Sequence, residues 1–296
     1  MIKKVKRNEG CIGCGSCEQH CPEVFKISSD GESEVISHDY LNKNDDITRA
    51  EEACPVNVIE VIRETHTEQV AIHQADVLAV ARLNDKTLQI TLSCKADFSF
   101  VPGQFILLHL TDHKGDFTRA YSITHYENNS FKLCIAITEK SRSSQALKSL
   151  SQENKLQISA PLGEFKLHSF QSHKLFLATG TGIAPLIAML QALPKETPKT
   201  LLWGVRQEQD LFFQAELQSI ANLDLHVCLS QAGDDWNGLQ GYISQHIPQF
   251  LRSNTEVYAC GNPKMINQSR EVINREDFPS HKFLVTFPDR ALDKTS

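Results

Sequence analysis

The sequence predicts a multidomain chain with α+β and α/β parts: a small cysteine-bearing domain, an antiparallel β-barrel and a parallel α/β domain. Three observations carry that expectation. Five of the nine cysteines stand between Cys11 and Cys54. From Val77 to Ser159, short apolar stretches are separated by turn residues at the spacing of antiparallel strands. From Leu175 onward, strand-like and helix-like stretches alternate, as in a sheet with helices on both faces.

Composition sets the outer limits. A chain of 296 residues suits two or three domains, and a hydrophobic content of 41% suits folded structure throughout. No stretch approaches the roughly 18 apolar residues of a membrane helix, and the basic start Met1 to Arg7 runs into Asn8, Glu9 and Gly10 instead of an apolar segment. A cytoplasmic protein without a membrane span is expected. An odd number of cysteines, bunched early, argues against a disulfide framework and for thiols kept reduced as ligands. The net charge of -6 is uneven: Glu9 to Glu60 holds twelve acidic and three basic residues, a net of -9. Such a surface repels nucleic acid and steers basic partners toward it.

Residues 1–63 are read as the cysteine domain. Cys11, Cys14 and Cys17 have C-x2-C-x2-C spacing, which wraps one corner of an iron-sulfur cubane, and Gly13 and Gly15 let the loop turn tightly. Cys54, followed by Pro55, closes the set. A second cluster would need cysteines ten, seven and four residues before Cys54, where Asn44, Ile47 and Ala50 stand, so one cluster is expected. Structural zinc pairs two separated knuckles, a poorer match to this spacing. The segment resembles single-cluster bacterial ferredoxins, which implies one [4Fe-4S] cluster on Cys11, Cys14, Cys17 and Cys54; three-iron centres usually lack the cysteine found at Cys14. In some such ferredoxins the position of Cys21 is paired in a disulfide, but no other non-ligand cysteine stands in this segment, so Cys21 is expected as a free or buried thiol. Around the loop, Val24–Ile27 and Glu34–Ser37 read as a hairpin. Asp45 or Asp46 reads as the cap of a helix with face Ile47, Ala50 and Ala53, ended by Pro55, and Val58–Ile62 as a closing strand.

Residues 64–75 are polar and without period, a tether. Flexible, about ten residues span only ~18 Å root-mean-square. Fusion at that reach gives an effective concentration of order mM, so electron transfer into the cysteine domain is expected within one molecule.

Residues 76–171 read as the barrel, with strands at Val77–Leu83, Leu88–Leu92, Phe105–Leu110, Phe131–Ile137 and Leu156–Ser159. Three runs stand in order: Pro102-Gly-Gln-Phe105, Arg119-Ala-Tyr-Ser122 followed by Ile123, and Pro161-Leu-Gly163-Glu-Phe165. Residues 172–296 read as the α/β domain. The strand Leu175–Ala178 leads into Thr179, Gly180, Thr181, Gly182 and Pro185, then an apolar helix to Ala192. Glycines at such a strand-to-helix turn let backbone N–H groups meet a pyrophosphate. Strands follow at Thr200–Val205, Asp224–Leu229, Glu256–Cys260 and Lys282–Phe287, with helices at Leu211–Ile220, Tyr242–Phe250 and Pro263–Asn274.

These runs, with Trp203-Gly-Val-Arg206 and Cys260-Gly261-Asn262-Pro263, resemble the ferredoxin-NADP reductase superfamily, and most nearly its oxygenase-reductase members. The resemblance implies an FAD barrel, with FMN the alternative, and an NAD(P) domain. It implies that Arg119 pairs with flavin phosphate through its planar fork, that Tyr121 packs on the cofactor, and that the Ser122 hydroxyl lies where hydride lands. Ser144, with Gly163, joins the flavin contacts, although the glycine of the family's Gly-x-x-Ser run is Ser141 here. Thr179 to Gly182, Pro185, Arg206, Cys260 and Gly261 are implied to meet the pyridine nucleotide, with Ser122 and Cys260 at the reacting centre and Phe287 as an aromatic cover over the flavin. Cys94, Cys134 and Cys228 read as buried strand residues. Asp234 and Asp235, where NADPH users carry basic groups, favour NADH over NADPH. The function expected is an NAD(P)H:acceptor oxidoreductase passing electrons from NADH through flavin to the fused cluster and on to a redox protein such as an oxygenase. Its rivals are an electron-transfer subunit without turnover of its own, and reverse transfer from a reduced donor to NAD(P)+.

Overall fold

A computed structural model describes residues 2–40, 43–54, 58–63, 71–96, 98–139, 141–168, 172–275 and 282–286. The chain forms two units, Met1–Gln69 and Val70–Ser296.

In the first unit, β1 (Ile2–Arg7) pairs antiparallel with β4 (Ile59–Arg63), and β2 (Phe25–Ile27) with β3 (Ser33–Val35). Helices α1 (Ser16–His20) and α2 (Asn44–Glu52) complete it. The basic start of the chain is therefore a strand, because Ile2 and Val5 are buried against Val24, Phe25, Ile47 and Ala50. Lys43 holds the N-cap position of α2 without a side-chain cap. Asp45 and Asp46 lie in its first turn instead of capping it, where their charge favours the helix dipole. Pro55 lies outside the described residues, as do residues 64–70 of the expected tether.

The second unit begins with a closed barrel in the order β10-β5-β6-β9-β8-β7. Its strands are β5 (Ile72–Asn84), β6 (Thr87–Cys94), β7 (Phe105–Asp112), β8 (Gly115–Glu127), β9 (Ser130–Ala136) and β10 (Lys155–Ser159), with α3 (Arg142–Leu147) before the last. Residues 72–75, expected in the tether, are strand, since Ile72 to Asp76 pair with Ser159 to Lys155. β8 was not among the expected strands. Its middle alternates imperfectly because Thr118, Arg119 and Ala120 are all half-buried.

A parallel sheet follows in the order β14-β13-β12-β11-β15-β16. The strands are β11 (Lys174–Thr179), β12 (Lys199–Val205), β13 (Leu223–Leu229), β14 (Leu239–Gln240), β15 (Glu256–Cys260) and β16 (Lys282–Thr286). Helices α4 (Ile183–Ala192), α5 (Gln214–Ser219) and α6 (Pro263–Arg275) connect them. Every residue of α4 from Ile183 to Leu190 is buried, as expected of a helix covered on all sides. Each such aliphatic side chain contributes about 1.5–3 kcal/mol by leaving water. Two expected helices are shorter or absent. Leu211 and Phe212 are buried, Phe212 edge-on to Trp203 at 5.0 Å, and α5 starts only after Phe213, whose left-handed backbone (φ 58°) marks its N-cap. From Ile243 to Gln249 there are two 3-10 turns, since Pro248 has no N–H to extend an α-helical ladder.

The amino-terminal edge of the sheet is held by buried polar groups. Lys174 Nζ, wholly buried, lies 3.1 Å from Glu256 Oε2 and donates to Ser172, and Tyr258 Oη donates to the same carboxylate at 3.0 Å. Removing one member of such a pair costs about 3–5 kcal/mol. His173 lies between the Thr200 and Thr255 hydroxyls, each 3.1 Å from a ring nitrogen. Burial, then the charges of Arg252 and Lys174, push its pKa down to about 4. An unfolded histidine titrates near 6.5, so the stability due to neutral His173 is present above about pH 6.5 and is lost as pH falls toward 4. Both tryptophans, Trp203 and Trp236, lie in this half of the unit. Urea unfolding followed by their fluorescence is expected to show a midpoint that falls between pH 6.5 and 4, and His173→Asn should flatten that fall.

Candidate functional site

In the first unit the four expected ligand cysteines, Cys11, Cys14, Cys17 and Cys54, line one small cavity with Ile27, Val58 and Ile59. Gly13 and Gly15 have φ of 65° and 74°, and the Cα of Gly13 lies so close to the Gly31 carbonyl that no side chain fits there. The loop is thereby pressed onto the β2–β3 turn. Ser33 N–H donates to Cys11 Sγ at 3.3 Å, and Ser33 Oγ is 3.0 Å from Cys17 Sγ; such bonds to sulfur tune a cluster's potential. No three His, Cys, Asp or Glu side chains among the described residues are drawn together as ligands of a single ion. A cubane instead takes one thiolate at each of its separated iron corners, and four thiols around one cavity fit that demand. Cys14 is the exposed member of the nine cysteines, and Ile12 beside it is 63% exposed. Cys21 is a buried free thiol among Val24, Phe25 and Ile47, outside the cavity lining, with its pKa pushed up by burial.

In the barrel the three ordered runs converge at one place. Phe105 N–H donates to Leu162 O at 3.0 Å and Leu162 N–H to Phe105 O at 2.8 Å. Ser122 is paired with Phe105 across β7 and β8, and Gln104 Nε2 donates to Gly163 O at 3.3 Å. Tyr121 is buried, while Arg119 and Ser122 are half-buried. Arg119 Nη1 donates to Thr118 O at 2.8 Å and its guanidinium lies 5.2 Å from the Phe117 ring. Ser144, expected among the flavin contacts, meets protein groups here. It is wholly buried, its Oγ accepts Thr138 N–H at 3.0 Å, and its own N–H donates to Ser141 Oγ at 3.3 Å.

A cleft of about 690 Å³ runs between barrel residues and the carboxyl ends of the parallel strands. Thr179, Gly180, Thr181, Gly182, Arg206 and Gly261 line it. Pro185 and Cys260 are buried behind that lining. Two loops meet at its floor: Asn262 N–H donates to Thr179 Oγ1 at 2.8 Å, a Cβ on Gly182 would meet the Cys260 carbonyl, and one on Gly261 would meet Thr179 Oγ1. The exposed acids Asp234 and Asp235 stand off the lining. Lys86, Thr138, Tyr242, Lys264 and Gln268 also line the cleft and were not foreseen; Lys86 sits in a hairpin turn, which carries no chemical signature. It donates to Asp210 Oδ1 at 2.7 Å, and Asn84 Nδ2 donates to Asp210 O at 3.0 Å, tying that hairpin to the sheet's loops. Phe287, the expected flavin cover, lies outside the described residues.

Residues 8–61 match the family described as the 4Fe-4S single cluster domain of ferredoxin I, residues 79–167 the oxidoreductase FAD-binding domain, and residues 176–271 the oxidoreductase NAD-binding domain. A ferredoxin-NADP reductase B of Sorangium cellulosum is 30% identical over 224 residues, 69% of this chain and 91% of its own. The anthranilate 1,2-dioxygenase electron transfer component of Acinetobacter baylyi is 27% identical over 276 residues, 86% of this chain and 78% of its own. Among solved structures, a cytochrome P450 reductase of Amycolatopsis has a TM-score of 0.67 at 20% identity, covering 96% of this chain and 91% of that one. A ferredoxin NADP+ reductase of Neisseria gonorrhoeae with bound FAD and NADP has a TM-score of 0.65 at 19% identity, covering 73% and 98%. At these identities the structural likeness speaks for the fold. No helix among the described residues is long and apolar enough to cross a membrane.

The contact between the two loops makes a prediction. Gly261 has a φ of 145°, where a side chain is strained by about 1–3 kcal/mol before any collision with Thr179. Gly261→Ala is therefore expected to raise the dissociation constant for NAD+ by about tenfold or more, read by calorimetric titration. An unchanged constant would mean that the cleft does not need this contact.

Proposed function

The chain belongs to the ferredoxin-NADP reductase family, as an FAD- and NAD-binding oxidoreductase with a single-cluster [4Fe-4S] ferredoxin domain ahead of the flavin domain, and on that premise we propose that it carries electrons from NADH through flavin to the fused cluster and on to a separate redox protein. The observation that carries this is the presence, in one chain, of the four-thiol cavity, the converging barrel runs and the glycine-floored cleft. When bound, a flavin takes up two electrons as a hydride and gives them up singly, which matches a two-electron donor to a one-electron cluster. Cys11, Cys14, Cys17 and Cys54 would hold the cluster, with Ser33 supplying hydrogen bonds to the sulfurs. Arg119 would hold flavin phosphate through its fork, Tyr121 would pack on the cofactor, and Ser122 would offer a hydroxyl to the reacting edge. Ser144, wholly buried, would contribute through the placement of α3. Thr179 to Gly182 and Gly261 would take the dinucleotide, with Cys260 close behind at the strand end. The functional domains are taken as residues 1–63, 72–171 and 172–296.

NADH is favoured over NADPH by the charge of Asp234 and Asp235, which acts on the cleft from a distance. Arg206, exposed and on the lining, is the group that would serve a 2'-phosphate. NADH is expected to show the higher kcat/KM, and Arg206→Ala should lower kcat/KM for NADPH more than for NADH. A preference for NADPH that Arg206→Ala removes would reverse the assignment.

The partner is read from the acidic first unit and from relatives that are electron transfer components of dioxygenases, such as the toluate 1,2-dioxygenase component of Pseudomonas putida at 28% identity. A basic surface on an oxygenase or similar redox protein is its complement. The similarity to a ferredoxin-NADP reductase favours a second reading, in which electrons run from a reduced donor to NAD(P)+. Anaerobic titration with NADH separates the two. Loss of flavin absorbance followed by loss of the broad cluster absorbance is expected. A cluster that stays oxidised beside a reduced flavin would favour the reverse direction, or a subunit that turns over only inside a larger complex.

A further inference from the structure

One arginine that the flavin assignment does not use is held more firmly than the residues it stands beside. Arg142, the first residue of α3, donates from Nε to Asp112 Oδ2 at 2.6 Å and from Nη2 to Asp112 Oδ1 at 2.7 Å. Its Nη2 also donates to Gly115 O at 2.8 Å. Asp112 and Gly115 are the paired residues at the tip of the β7–β8 hairpin. The fork thus ties the start of α3 to the strand that carries Arg119. Bidentate arginine-carboxylate pairs add geometric definition as well as energy.

The same guanidinium lies 4.0 Å from the centroid of the Phe117 ring, and Arg119 lies 5.2 Å from that centroid. Phe117 and Arg119 are two apart on β8, so their side chains leave the same face of the strand. One buried ring therefore serves both arginines. Arg142 gives three of its N–H groups to Asp112 and Gly115, and Arg119 donates from Nη1 to Thr118 O. On α3 itself, Ser144 is wholly buried, its Oγ accepting Thr138 N–H and its N–H donating to Ser141 Oγ.

We propose that Arg142 is a positioning residue for the flavin: through its fork to Asp112 and its stack on Phe117, it sets the Arg119 guanidinium before the cofactor arrives. This rests on the assignment of Arg119 to flavin phosphate. Pre-setting a ligand's partner improves affinity by removing ordering cost at binding.

The experiment is a double-mutant cycle on the FAD dissociation constant, measured by quenching of FAD fluorescence as flavin-stripped full-length protein is titrated in. Variants are compared where their far-ultraviolet dichroism overlays that of the parent. Arg142→Ala is expected to raise the constant about tenfold or more, and to add little to the effect of Arg119→Ala when the two are combined. If Arg142→Ala fails to fold, Arg142→Lys carries the test, since lysine keeps the charge but cannot fork. Asp112→Asn separates positioning from simple charge. Removing a carboxylate near the phosphate would tighten binding by charge alone, whereas loss of the fork is expected to weaken it. An Arg142→Ala effect of equal size with and without Arg119, tighter binding by Asp112→Asn, or no change in either variant overturns the proposal while leaving the flavin assignment standing. Unchanged binding by Arg119→Ala overturns that assignment and the proposal with it.

Discussion

Two backbone loops at the carboxyl ends of neighbouring parallel strands touch, and the shape of the cleft depends on that touch. β11 and β15 lie side by side, with Ala178 paired to Cys260. The loops that leave them close together only because Gly182 and Gly261 have no Cβ to strike the Cys260 carbonyl and Thr179. Thr179 then accepts Asn262 N–H and locks the pair. Ligands of open α/β sheets sit outside the carboxyl ends of the strands, and here the floor of that place is built from main chain. A side chain at either glycine would push the loops apart.

At the opposite ends of the same strands, buried polar groups join them again. Lys174 opens β11 and Glu256 opens β15, so their buried ion pair ties the same two strands at their other ends. The buried Tyr258 hydroxyl and the neutral His173 complete the hydrogen bonding there. Burial of ions is costly, and the arrangement is tolerable because each buried partner has acceptors or donors at hand. One end of these strands is thus closed by buried polar pairs, while the other opens on a cleft lined by glycine.

The barrel solves a different problem, which is to bring polar groups to one end of a closed apolar structure. On β8, Arg119 shares a face with the buried Phe117, Tyr121 and Ile123 and is half-buried among them, while Ser122 stands on the other face. Its pairing with β7 sets Ser122 beside Phe105, and the Phe105–Leu162 bridge draws in the third run. α4, buried along its length, packs between this barrel and the sheet. Since the flavin and nucleotide parts share that helix, a change in its packing would reach both.

Much of this was legible in the residues themselves. Cysteine spacing, glycines at a strand-to-helix turn and short apolar periods are local properties, and they specify local conformation and ligand chemistry before any packing is known. The C-x2-C-x2-C run of Cys11, Cys14 and Cys17 and the Thr179 to Gly182 turn are legible in that way, and the structure sets them around a cavity and along a cleft. Tertiary structure decided what depends on neighbours far away in sequence. It made a strand of Ile2–Arg7 because β4 is there to pair with it, and packed Phe212 edge-on against Trp203 ahead of α5. It turned the Ser144 hydroxyl inward to Thr138, kept Asp234 and Asp235 off the cleft, and set Lys86 on it. The fork from Arg142 to Asp112 spans 30 residues, and no pattern of spacing announces it. A sequence determines which groups a chain can offer; which of them face a ligand is decided by the packing that buries the rest.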